Sequence, residues 1–279
     1  MTEKRMHRAV SDDGTEICAS VHGDGPPLLL VHGAMDDGEG HWHPSLPFLT
    51  DRFTCYVMSL RNRGLSGPSQ DLSPPRQVDD VVALAASIDG PVALAGLSMG
   101  GALALAAAAR LDTLSAVAAY EPALLDVASE EDYQRFVGTI MHVAEHATQG
   151  RPIDAVRTFY ELMGNDEEVA ALSTRGAFET LARNVAVELD LIQQATQHEG
   201  PRPGNPEELQ QISAPVLLLR GGRSNMRSWF HRAVEHVAQH VSEPHEHEFT
   251  DAGHLAPMVN PEPVAGELAK FVEAVRQPA

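Results

Sequence analysis

The stretch Gly96-Leu97-Ser98-Met99-Gly100 carries the sharpest chemical signal in the chain. A serine hydroxyl is a weak nucleophile until a neighbouring base takes its proton. Glycines two residues to either side let the backbone turn tightly enough to push that hydroxyl out at the tip. The preceding 92-VALAG-96 reads as a buried strand and residues 99–110 as an alanine-rich helix, so Ser98 stands at a strand-to-helix turn. The helix amino terminus favours negative charge at the same point. On these residues alone Ser98 is a candidate nucleophile; a structural turn that matches the pattern by chance is the alternative.

Other elements must bring partners to it. Residues 15–22, 27–32, 53–59 and 114–120 read as strands, the second apolar throughout, as a strand covered on both faces should be. Residues 78–88 have helical spacing. From about 123 to 210 the strand signal disappears and only helical stretches follow, the first opening at 129-SEED-132. The Pro/Gly-rich 198-HEGPRPGNPEE-208 closes this section. Strand 215–220, helix 226–241, a short strand at 246–249 and a helix from about 261 then resume the alternation. Such a pattern predicts an α/β fold with a mostly parallel sheet, formed by residues 1–122 and 211–279 and interrupted by a helical insertion over 123–210.

With Ser98 so placed, the chain resembles the α/β-hydrolase fold superfamily over nearly its whole length. The resemblance implies a mostly parallel central sheet flanked by helices, with the insertion as a helical cap. The loop 31-VHGAM-35 matches the one that donates a backbone N–H to the family's oxyanion hole, which makes Ala34 and Met99 the implied donors. In 250-TDAGHLAPMVNPEP-263, His254 matches the family's catalytic histidine. The chain has fourteen histidines, so position and order, not residue type, select this one. Trp42 stands where the family often has an aromatic residue. In 59-SLRNRGLSGPS-69, Arg61 and Ser66 replace the family's usual Asp and Gly, a departure read as variation in a supporting loop.

The serine–histidine pair calls for a carboxylate to orient the imidazole and stabilise its charged form. The family's usual Asp after the insertion is absent: Gly221-Gly222-Arg223-Ser224 stands there. The superfamily's other position, the end of the strand directly after the nucleophile's helix, holds Glu121. This resembles the esterase and lactonase subgroup that includes zearalenone lactonases. Glu121 is therefore the expected acid, Asp126 the next candidate and a dyad without an acid the third.

The resemblance implies a cofactor-free serine hydrolase acting on a small hydrophobic ester or lactone through an acyl-enzyme. Carbon–carbon hydrolysis, perhydrolysis and acyl transfer could use the same groups, and a scaffold that kept only ligand binding or product tailoring stays open because of Ser224. Pocket candidates are Met35, Trp42, Phe136, Met141, Phe159, Tyr160, Met163, Phe178 and Met258, though any cap residue among them could equally build the cap's own core.

Composition narrows the rest. A formal charge of −19 argues against nucleic-acid and anionic-membrane partners. Cys18 and Cys55 lie in strand-like stretches and read as buried thiols in a reducing cytoplasm. The start MTEKRMHRAV lacks the apolar run of a signal peptide. Residues 90–109 are uncharged and about as long as a membrane span, but Gly96, Ser98, Gly100 and Gly101 interrupt them. The histidine pairs 142/146, 236/240, 41/43 and 245/247 read as exposed residues rather than metal ligands, and the acidic runs 130–132 and 166–168 as solvated helix starts. A homodimer is left open.

Overall fold

The structure is a computed structural model that describes residues 5–276; the first four residues of the amino-terminal stretch discussed above lie outside it. Along the chain come β1 (Met6–Val10), β2 (Glu16–His22), β3 (Pro27–Val31), a short α1 (Glu39–Trp42), β4 (Thr54–Ser59), α2 (Pro74–Ala86), β5 (Val92–Leu97), α3 (Met99–Ala108) and β6 (Leu114–Tyr120). Six helices follow: α4 (Glu130–Thr148), α5 (Pro152–Met163), α6 (Asp166–Thr174), α7 (Ala177–Leu181), α8 (Val185–Gln197) and α9 (Pro206–Leu209). The sheet resumes with β7 (Val216–Gly221), α10 (Arg227–His240), β8 (Pro244–Phe249), α11 (Ala256–Val259) and α12 (Pro261–Arg276).

The eight strands form one sheet in the order β1-β2-β4-β3-β5-β6-β7-β8. β2 runs antiparallel to β1 and β4, and the remaining pairs are parallel. Helices cover both faces, so the central strands read as unbroken apolar runs; every residue of β5 is buried. One layer packs α2, α3 and α10 against one face, with Leu94, Leu105, Val117, Leu218 and Val234 at its heart. Another packs α12 against the opposite face through Leu30, Ala95, Leu219, Leu268 and Val272. The uncharged run 90–109 is thus β5, the turn and α3. No helix among the described residues is long and apolar enough to cross a membrane.

Two differences from the sequence reading are instructive. β1 was not expected; its side chains are mostly exposed, so no buried face imposes a period on MHRAV. Helix α2 starts at Pro74, four residues before the expected start, because proline at the first helical position loses no hydrogen bond. Cys18 and Cys55 are buried free thiols, and burial raises the pKa of each.

Candidate active site

The turn after β5 is as tight as its glycines require. Ser98 has φ 56° and ψ −119°, a conformation costly for a residue with a side chain. Its N–H donates to Tyr120 O at 2.9 Å, and its carbonyl accepts from Ala102 and Ala123, each at 3.1 Å. A Cβ on Gly96 would stand 2.1 Å from Gly100 O, and one on Gly100 would stand 2.3 Å from Val31 O. Both flanking glycines are thus demanded by close backbone approach. The strain is held by packing and hydrogen bonds around the turn.

Glu121 is the residue immediately after β6, in the next strand over, and also has positive φ, at 43°. It is fully buried. One carboxylate oxygen, Oε1, accepts from Gly221 N at 2.8 Å and from Ser224 Oγ at 2.7 Å; the other, Oε2, lies 2.7 Å from His254 Nδ1 and 2.9 Å from Ser224 Oγ. A buried charge must be met by donors, and here two strand ends supply them. The loop after β7 therefore serves the carboxylate rather than carrying one. Asp126, the runner-up, is exposed and pairs with Arg202 at 3.3 Å.

His254 follows β8. Its ring stacks on Phe230 of α10 with centroids 4.4 Å apart and planes within 3°. The insertion helices and the sheet both hold its backbone: Glu168 of α6 accepts Gly253 N at 2.9 Å and Leu255 N at 3.4 Å, while Tyr120 Oη of β6 donates to Gly253 O at 2.7 Å. A Cβ on Gly253 would come within 2.3 Å of Glu168 Oε2, so the glycine before the histidine makes room for this clamp. Burial raises the Glu168 carboxyl, against the hydrogen bonds it receives. The acidic helix start at 166–168 is accordingly not wholly solvated. Asp132, in the other run, is likewise buried against Ser129, Ser228 and Arg232.

Ser98, Ala34 and Met99 border a cavity of about 410 Å³ between the sheet and the helices α4, α5 and α8. Phe136, Ile140 and Met141 of α4, Phe159 and Met163 of α5 and Leu191 of α8 form much of its apolar wall. Five residues expected at the pocket do not line it. Trp42 packs into the layer under β3 and α12. Met35, Tyr160, Phe178 and Met258 belong to one apolar cluster with residues of α4–α8 and α10, Phe178 with its ring 6.2 Å from Tyr160 and the Arg157 guanidinium over its face. A large apolar side chain does not by its type say whether it meets the cavity or the packed interior.

His41 departs from expectation most clearly, being buried rather than exposed. Its Nδ1 accepts Gly33 N at 2.9 Å, so the neutral ring carries its proton on Nε2, 3.0 Å from Tyr160 Oη and 3.4 Å from Asp36 Oδ2. Burial, then the charges of His254 and Arg63, lower its pKa to about 3. His236 and His240 pack on each other and meet backbone carbonyls. Among the described residues no group of three metal-binding side chains converges.

The comparisons with known proteins agree with this architecture. Residues 28–267 match the alpha/beta hydrolase family. A pimeloyl-[acyl-carrier protein] methyl ester esterase of Stenotrophomonas maltophilia is 32% identical over 136 residues, 43% of this chain and 51% of the relative. A 2-hydroxy-6-oxo-6-(2'-aminophenyl)hexa-2,4-dienoic acid hydrolase of Metapseudomonas resinovorans is 30% identical over 107 residues, 36% of each chain. The matches thus span about half or less of these curated relatives. Among solved structures, a membrane phospholipase A described as a bacterial virulence factor superposes with TM-score 0.78 at 25% identity, covering 99% of this chain and 87% of the other. A thermophilic esterase from Thermogutta terrifontis, malate bound, shares the fold with TM-score 0.76 at 23% identity, covering 98% and 100%.

Proposed function

Since the chain belongs to the alpha/beta hydrolase family, we propose that it is a serine hydrolase cleaving a carboxylic ester or lactone through an acyl-enzyme. The observation that carries this reading is the 2.7 Å contact between the buried Glu121 carboxylate and His254 Nδ1, with Ser98 on a strained turn at the cavity wall. In the proposed reaction His254 takes the Ser98 proton as Oγ attacks the substrate carbonyl. The N–H groups of Ala34 and Met99 stabilise the oxyanion, each donor being worth about 3 kcal/mol in such sites. His254 then protonates the departing alcohol oxygen, and a water, deprotonated by the same ring, releases the acid and regenerates Ser98. Side chains handle every proton, so the scheme invokes no cofactor.

The apolar wall suits an acyl chain or ring, because burying each methylene is worth about 0.8 kcal/mol. The named esterase among the relatives supports an ester as substrate class. The test measures turnover of p-nitrophenyl acetate, butyrate and octanoate by wild type and Ser98→Ala, with fluorophosphonate labelling of both. Labelling and turnover should vanish together in the variant, with kcat/KM in wild type rising along the series. Folded wild type that neither labels nor turns over would refute the proposal.

A further inference from the structure

The loop that carries Ala34 is held by side chains of the cap. Met35 adopts φ 64°, and its peptide groups are gripped from both sides: its N–H donates to Glu188 Oε2 at 2.8 Å, and its carbonyl accepts from Asn184 Nδ2 at 3.2 Å. Glu188 lies on the first turn of α8 and Asn184 directly precedes that helix. The same Glu188 oxygen receives Arg63 Nη2, from the core loop after β4, at 2.7 Å. A third cap side chain, Tyr160 of α5, lies with its Oη 3.5 Å from Ala34 O. The peptide joining Ala34 to Met35 is therefore contacted at its oxygen by α5 and at its nitrogen by α8.

Stability is a poor explanation for this arrangement. Removing two ions from water costs several kcal/mol each, and an apolar pair of the same volume often does as well or better. Arg63 and Glu188 are both buried, yet Arg63 Nε and Nη1 have no hydrogen-bond partner. What the group does fix is a backbone segment in an unfavourable conformation, next to the residue whose N–H must face a developing oxyanion. Oriented donors of that kind lose their value when displaced by about 1 Å.

We infer that Glu188 and Asn184 are positioning residues that aim the Ala34 N–H, so that the cap, seated through the Arg63–Glu188 pair, completes the oxyanion hole. This rests on the serine-hydrolase reading above. It assigns the cap a part in the chemical step, beyond forming the cavity wall.

The test compares wild type, Glu188→Ala, Glu188→Gln and Asn184→Ala in three measurements: kcat and KM for p-nitrophenyl butyrate, amide exchange of segment 33–36, and thermal melting. Glu188→Ala should lower kcat about 10- to 100-fold with KM nearly unchanged, and speed exchange in segment 33–36. Glu188→Gln, which keeps an acceptor for Met35 N–H, should regain part of the lost kcat, and Asn184→Ala should fall between it and wild type. A purely structural role would lower melting without the loop-specific exchange or the split between kcat and KM. If Glu188→Ala does not fold, Glu188→Gln and Asn184→Ala decide. Wild-type kcat in folded Asn184→Ala and Glu188→Gln, beside an active wild type, overturns the positioning role alone. A wild type with no ester turnover overturns the reading on which it rests.

Discussion

Glu121 Oε2 and His254 Nδ1 lie 2.7 Å apart, although 133 residues separate them along the chain. Both are buried, and Ser224 Oγ and Gly221 N hold the carboxylate in place. In the proposed mechanism this contact fixes the tautomer of the ring and stabilises its charged form.

Glu121→Gln removes the charge and keeps the shape. The amide can no longer balance an imidazolium, and its NH2 group can force the wrong tautomer, so kcat should drop about 10³- to 10⁴-fold with melting nearly unchanged. Steady-state kinetics beside a thermal melt read both. Retention of more than about a tenth of wild-type kcat is incompatible with Glu121 as the acid.

The adjacent strand end should be able to host the acid instead. Ser224 Oγ already sits 2.9 Å from the carboxylate oxygen that meets His254. Glu121→Ala alone should be nearly inactive, and adding Ser224→Asp should restore at least about tenfold of the loss. Ser224→Asp with Glu121 retained places two carboxylates together, so one must take a proton and the fold should lose stability. Lack of any recovery in a folded double variant would show that position 224 serves only as a donor.

His41 makes stability depend on pH. Its folded pKa of about 3 lies below the ordinary 6.5, so below 6.5 the unfolded chain binds a proton that the folded one refuses. Its contribution is full above pH 6.5 and declines as pH falls towards 3, by up to about 1.4 kcal/mol per unit. His32, lowered by burial and by Arg63, acts in the same sense. Asp36, raised by burial, acts in the opposite one. Urea unfolding at pH 7, 5.5 and 4.5 should show a flatter decline for His41→Gln than for wild type, from a lower plateau at pH 7. Parallel declines would mean that the ring is protonated in the fold.

The alternation of apolar runs and the glycines about Ser98 made the sheet and the turn readable, because those signals are local; Glu121 and His254 were reached only through the resemblance to the α/β-hydrolase superfamily. Ser224 was readable as a departure, and its hydrogen bonds to Glu121 give that departure a physical meaning. Arg61, read as loop variation, is a buried fork on Asp80 at 2.7 and 2.6 Å that also meets Asp13; Ser66 ties the same loop to Ser59 O and Cys18 N. Glu168, Glu188 and His41 were hidden for a common reason. A polar side chain is buried only when remote partners satisfy it, and Glu188 finds Met35 N from 153 residues away. The one local hint was the pair of charges, Glu188 and Asp190, inside the otherwise apolar 185-VAVELDLI-192.

The site of the carboxylate also bears on when the molecule becomes competent. Ser98 and Glu121 end strands that are neighbours in the sheet and consecutive in the chain, and the serine's N–H already bonds Tyr120 O. A nascent chain emerging from its amino end meets these two groups early, with little loop to close. An acid at position 224 would instead be delivered only after helices α4 to α9 had been synthesised. His254 arrives last either way, after β7 has closed the long span back to β6 and β8 has paired with its sequence neighbour β7. In the proposed mechanism turnover would then wait for completion of the sheet, because the ends of β5 and β6 bring Ser98 and Glu121 together before His254 reaches them.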